Sequence, residues 1–127
     1  MSDVTRVFHL TAVVADRDAG VATLARLFGV SVLHTAEDTI GGVDMKRAML
    51  WIGDNLVDAI EPVGASPFTS FLERFGGGMN SLGLETPDAT ATEARLAALG
   101  VDPAVRFGPD MFATRTGATA GLALQWT

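Results

Sequence analysis

Val7-Phe8-His9-Leu10-Thr11-Ala12-Val13-Val14-Ala15-Asp16 is rich in β-branched and apolar residues and ends on an acidic residue ahead of a helical pattern. A weaker copy, Met79-Asn80-Ser81-Leu82-Gly83-Leu84-Glu85-Thr86-Pro87-Asp88, follows at a shift of 72 residues, which places Leu10 on Leu82 and Asp16 on Asp88. The same shift carries Leu24 onto Leu96, Ala25 onto Ala97 and Leu27 onto Leu99, so strand, cap and helix face repeat together.

Working outward, Asp18 is read as the cap of a helix with apolar positions Val21, Leu24, Leu27 and Phe28, stopped by Gly29. Thr90-Ala91-Thr92-Glu93 reads as the capping box of its counterpart, which carries Leu96 and Leu99 and ends at Gly100. A third helix starts at Ser66-Pro67, shows Phe68, Phe71, Leu72 and Phe75 at helical spacing, and stops at Gly76. Strand character falls on Val30–His34, on Asp44–Ile52 and Leu56–Ile60 around a Gly53-Asp54-Asn55 turn, on Met79–Glu85 and on Leu122–Thr127. Val101–Phe107 and Met111–Arg115 are strands interrupted by Pro103, Gly108 and Pro109.

The order predicts an α+β fold of two tandem β-α-β-β-β repeats in one domain over 1–127. The first repeat covers about 5–62, a linker helix and glycine hinge about 66–78, and the second repeat about 79–127. Alternation along the first strand sets His9 on the face with Val7, Thr11 and Val13, opposite Leu10 and Ala12. Through the repeat, Ser81 matches His9. After a five-residue shortening, Leu56-Val57-Asp58 falls on Ala123-Leu124-Gln125, so Asp58 matches Gln125.

Composition narrows the function classes. A 127-residue chain with 48% hydrophobic and 19% charged residues can bury a core unaided. Cysteine is absent, which removes disulfides, thiol nucleophiles and iron–sulfur sites. The charge of −6, with eight arginines and Lys46 scattered along the chain, gives no basic stripe for nucleic acid. No apolar stretch approaches the ~20 residues of a membrane helix, and no charged segment followed by an apolar one opens the chain; the expectation is a cytoplasmic protein. Gly76-Gly77-Gly78 follows a helix and precedes a strand, the reverse of a phosphate loop.

The paired repeats resemble the vicinal oxygen chelate superfamily: glyoxalase I, bleomycin-resistance proteins, extradiol dioxygenases and methylmalonyl-CoA epimerase. Ile60-Glu61-Pro62, Ser66-Pro67-Phe68, Phe71-Leu72-Glu73-Arg74 and Gly76-Gly77-Gly78 are similar to the linker of the epimerase branch. The resemblance implies a cupped mixed sheet around a small-molecule pocket, a homodimer, and one divalent ion (Zn, Ni, Co or Mn) held from the first and fourth strands. Those positions are His9, Asp58 and Gln125, with Ser81 in the fourth place where the family has a stronger ligand. It further implies a carboxylate base on the third strand, where Asp44 and Lys46 share a face.

Two functions follow as expectations. One is a lyase- or isomerase-like enzyme that abstracts a proton from a small carbonyl-containing substrate, with His9, Asp58 and Asp44 as candidate catalytic groups. The other is a metal-free binding protein resembling the bleomycin-resistance type. Low Lys and high Arg and Ala usage points to a bacterial source. Glu61 reads as a structural acceptor, Lys46 or Arg47 as a pocket-mouth partner for an anionic substrate, and Trp126 as core.

Overall fold

The computed structural model describes residues 4–127, so the first three residues of the expected domain lie outside the description. The chain falls into two compact units, His9–Asn80 and Ser81–Thr127, the second joined by residues 4–8. Strand β1 spans Arg6–Val13, followed by α1 (Arg17–Phe28), β2 (Val32–Ile40), β3 (Val43–Ile52) and β4 (Asn55–Val63). After α2 (Pro67–Phe75) come β5 (Gly78–Glu85), α3 (Ala89–Ala98), β6 (Pro103–Gly108), β7 (Met111–Thr114) and β8 (Leu124–Trp126). The fold is α+β, and each unit carries the β-α-β-β-β order.

In the first unit β1 pairs with β4 in parallel, and β2, β3 and β4 pair antiparallel in sequence. The second unit repeats this topology: β5 pairs with β8 in parallel, and β6, β7 and β8 run antiparallel. Register confirms the repeat offset. Leu10 lies opposite Val57 in one unit and Leu82 opposite Leu124 in the other.

Helix starts differ from the sequence reading. Asp16, not Asp18, caps α1, its carboxylate accepting the Ala19 N–H at 2.9 Å; Asp88, not Thr90, caps α3 by accepting from Ala91 at 3.0 Å. Both caps sit in extended backbone three residues past the end of the preceding strand, where each carboxylate takes an orphan N–H group of its helix. Asp18 then lies within the first turn, where its charge still complements the helix dipole. Helix α2 follows the sequence reading, with Ser66 accepting from Thr69, Pro67 opening the helix and Gly76 closing it at φ 75°.

Each helix buries its apolar stripe on its own sheet. Val21 packs on Ala48, Leu50 and Val57, with Leu10, Ala12 and Leu24 around them. Leu96 packs on Leu84, Phe112 and Trp126. Burying a side chain such as Leu50, which is fully covered, contributes about 1.5–3 kcal/mol. Trp126 stacks on Phe112 at 6.5 Å and donates its indole N–H to Thr114 at 3.1 Å, so the one polar atom of that ring is satisfied. Glu61 on β4 accepts the Arg17 backbone N–H at 2.8 Å, and the Arg17 guanidinium donates to the Ala36 carbonyl, tying the start of α1 to β4 and β2.

Strand β2 runs to Ile40, well beyond the expected end at His34, through the polar run Thr35–Thr39. It pairs with β3 alone in the first unit and most of its residues are exposed, so its pairing is dictated by backbone hydrogen bonds and not by apolar alternation.

After α2 the chain turns through Gly77 at φ +110°, where a Cβ would sit 2.9 Å from the Val13 carbonyl oxygen. Gly64 also has positive φ, at +77°, but faces open space. Gly77→Ala is therefore expected to cost at least about 2 kcal/mol and Gly64→Ala about 1 kcal/mol, read from urea midpoints. Equal losses would show that the contact with Val13 is relieved by backbone movement.

Candidate functional site

Because Leu10, Ala12, Ala48, Leu50 and Val57 face the helix, strand alternation sends their neighbours to the opposite face of the first unit's sheet. That face carries His9, Thr11 and Val13 from β1, Asp58 and Ile60 from β4, and Met45, Arg47, Met49 and Trp51 from β3. His9, Thr11 and Asp58 are buried, and Thr11 is the register partner of Asp58. The structure thus brings His9 and Asp58 onto one face, on adjacent strands.

The strongest polar feature of this face is an arginine. Met49 lies opposite Asp58 on the neighbouring strand, and Arg47, two residues along β3, reaches Asp58 diagonally. Its Nη2 donates to Asp58 Oδ2 at 3.0 Å, and its Nε lies 3.2 and 3.3 Å from the two carboxylate oxygens. Nη1 donates to Asp38 Oδ2 of β2 at 2.7 Å. The Arg47 and Asp58 side chains are only 16% and 12% exposed, so the pair is well shielded from water. Burial by itself would favour loss of the guanidinium proton, but hydrogen bonds and charge from Asp58 and then Asp38 more than offset it, raising Arg47 above its ordinary range. A raised folded-state pKa contributes stability below the unfolded value and loses it only as pH climbs past the folded one. For arginine that window lies far above neutrality, so this cation stays charged throughout the working range.

The other expected positions fall elsewhere. Asp44 is exposed and lies on the helix-side face of β3 with Ala48 and Leu50, away from the face of His9 and Asp58; it accepts a hydrogen bond from the Thr39 hydroxyl. Lys46 shares that side and approaches Glu61 at 3.8 Å. In the second unit Ser81 is buried, and the Gln125 amide nitrogen lies 3.5 Å from its hydroxyl oxygen. Trp126, of opposite parity to Gln125, belongs to the core.

Donor chemistry decides whether a divalent ion fits the four positions. Both oxygens of Asp58 are engaged by a guanidinium, Ser81 offers a neutral hydroxyl, and Gln125 directs its amide donor towards that hydroxyl. Among the described residues no group of three or more His, Asp or Glu is arranged to hold a metal. The residues do not fit the ion that the family resemblance implies.

The role of Arg47 as the partner of Asp58 was missed in the sequence, although a signal was present. The tight turn at Gly53-Asp54 pairs Ile52 with Asn55, and counting back from it sets Met49 opposite Asp58. Removing the cation should expose the cost of the buried Asp58 carboxylate and of the half-buried Asp38 beside it. Arg47→Met is expected to lose about 3 kcal/mol in urea unfolding, and Arg47→Met with Asp38→Asn and Asp58→Asn to recover most of it. A single variant as stable as the parent would mean that water solvates this cluster.

The comparisons agree with the topology. The structure of methylmalonyl-CoA epimerase from Mycobacterium tuberculosis is similar with a TM-score of 0.87 at 21% identity, covering 99% of this chain and 89% of that one. The Streptomyces coelicolor methylmalonyl-CoA epimerase in complex with 2-nitronate-propionyl-CoA matches with a TM-score of 0.85 at 24% identity, covering 97% and 93%. A hypothetical protein from Bacillus halodurans matches at 0.79 and 18% identity, covering 95% and 91%. No protein of curated function matches. At these identities the structural likenesses establish the fold alone. The family model of the glyoxalase/bleomycin resistance protein/dioxygenase superfamily matches residues 8–117, most of the chain. With two β-α-β-β-β units of identical pairing and that match, the chain belongs to the glyoxalase/bleomycin resistance protein/dioxygenase superfamily.

Proposed function

We propose that this protein binds a small organic molecule on the face formed by His9, Thr11, Arg47, Met49 and Asp58, and that it does so without a divalent ion at those positions. The observation that carries this reading is the Arg47–Asp58 pair, which commits the one carboxylate of the expected ligand set to a resident cation. Support also comes from β3, which presents Met45, Arg47 and Met49 to the face while Asp44 lies on the other side. Proton abstraction next to a carbonyl requires a base and an electrophile that stabilises the enolate. Here the carboxylate is neutralised and three of the five guanidinium N–H groups already point at aspartates. Binding with adaptable thioether contacts from Met49 suits this face better than enolate chemistry.

The second reading keeps His9, buried on the same face, as the base of an isomerase or lyase. Epimerase neighbours were solved with 2-nitronate-propionyl-CoA and with methylmalonyl-CoA, so acyl thioesters are the first compounds to try. A second copy belongs to the proposal too: Leu27, Phe75 and Met79 of the first unit are more than half exposed, and burying them in a homodimer is favourable. Among the described residues no helix is long and apolar enough to cross a membrane.

Methylmalonyl-CoA incubated with the protein in D2O, with and without added Co2+, should show no enzyme-dependent α-proton exchange by NMR. Exchange that disappears in His9→Ala would replace the binding reading with the isomerase one. Saturable binding of a thioester without exchange, by calorimetry, is the expected positive result.

A further inference from the structure

We infer that Trp51 and the row of side chains it opens form an aromatic subsite that takes a flat aromatic ring free of negative charge, a reading that rests on the proposed binding function and names the class of molecule bound.

Strand register lays out the row. Trp51 of β3 pairs with Leu56 of β4, and Leu56 pairs with His9 of β1. All three alternate with residues that pack under α1, namely Leu50, Val57 and Leu10, so they share the face turned away from that helix. Two strand spacings separate Trp51 from His9, about 10 Å. An indole, an isobutyl group and an imidazole thus stand in line over a distance that suits a fused two-ring system. The next row on the same face holds Met49, Asp58 and Thr11.

Trp51 does not behave as a core residue. It is 43% exposed, whereas the other tryptophan, Trp126, is buried against Phe112 with its indole N–H bonded to Thr114. Among the described residues no ring and no guanidinium stacks on the Trp51 indole. Tryptophan ordinarily withdraws most of its large apolar surface from water, and leaving it open beside the polar groups of a binding face offers that surface to a ligand.

Charge decides which ring. Arg47 faces both Asp38 and Asp58, so the cluster beside the row carries one positive charge against two negative ones. Lys46 lies on the helix-side face, and three of the Arg47 N–H donors are directed at its aspartates. An anionic ring would meet the surplus carboxylate and an arginine already committed to its own partners. A cationic ring would gain from that surplus and from the π face of the indole together.

Calorimetry on the full-length protein with 1-methylquinolinium (a cation), quinoline (uncharged above neutral pH) and 2-naphthoate (an anion) tests this. Affinity should fall in that order, with 2-naphthoate at least about tenfold weaker than 1-methylquinolinium. Trp51→Phe should bind 1-methylquinolinium within about threefold of wild type, and Trp51→Leu should lose at least about tenfold. Asp58→Asn, or Asp38→Asn if that variant does not fold, should erase the preference for the cation. Melting temperature establishes that each variant is folded, and emission of Trp126 reports an intact core in both Trp51 variants. The aromatic subsite is ruled out if no probe binds saturably, if Trp51→Leu binds as well as wild type, or if 2-naphthoate binds as tightly as the cation. A thioester bound without proton exchange while every ring fails would overturn this inference alone. Ring binding accompanied by thioester proton exchange would replace the binding reading with the isomerase one and leave the aromatic subsite standing.

Discussion

The parallel register of β1 against β4 governs what this chain can do. It sets Thr11 opposite Asp58 and Leu10 opposite Val57, and so sorts each strand into a helix-facing side and a free side. A slip of one residue would send Asp58 under α1 and Val57 to the other face, burying a charge in an apolar layer. The cost of that inversion holds the register, and the register in turn gathers the polar groups. The second unit repeats the pairing of Leu82 with Leu124, which leaves Gln125 opposite in parity to the core residue Trp126.

The polar face is dominated by a shielded charge cluster, and such clusters contribute little net stability. Desolvation of Arg47, Asp38 and Asp58 consumes most of the Coulombic gain, while loss of one partner strands the others. What the cluster supplies is fixity: it links β2, β3 and β4 through side chains. A fixed guanidinium and a mobile divalent ion are different kinds of electrophile. The first has directional donors largely spent on its own aspartates, whereas the second has open coordination positions. That difference separates this face from the chelating site implied by the superfamily resemblance.

Much of the fold was legible in the chain before any coordinates. Ser66-Pro67 and Gly76 bracket α2 because a hydroxyl cap, a preset φ and a left-handed glycine act locally. The 72-residue offset exposed the repeat, and Asp16 and Asp88, aligned by it, proved to be the two caps. The far end of β2 was illegible because an edge strand needs only one backbone partner and no apolar pattern. Asp44 illustrates a different limit: its parity with Ala48 and Leu50 was readable, but which side of β3 meets the helix depends on packing.

Sequence by itself therefore determined the element order, the internal repeat, the superfamily, and the pairs of residues that share a strand face. These follow from local capping chemistry and from two-residue alternation, which need no partner. Only the tertiary structure decided which face is covered by a helix, that Asp44 leaves the polar face, and that Arg47 reaches both Asp38 and Asp58. Those outcomes depend on the register of three strands at once, and long side chains such as arginine select their partners only after that register is fixed.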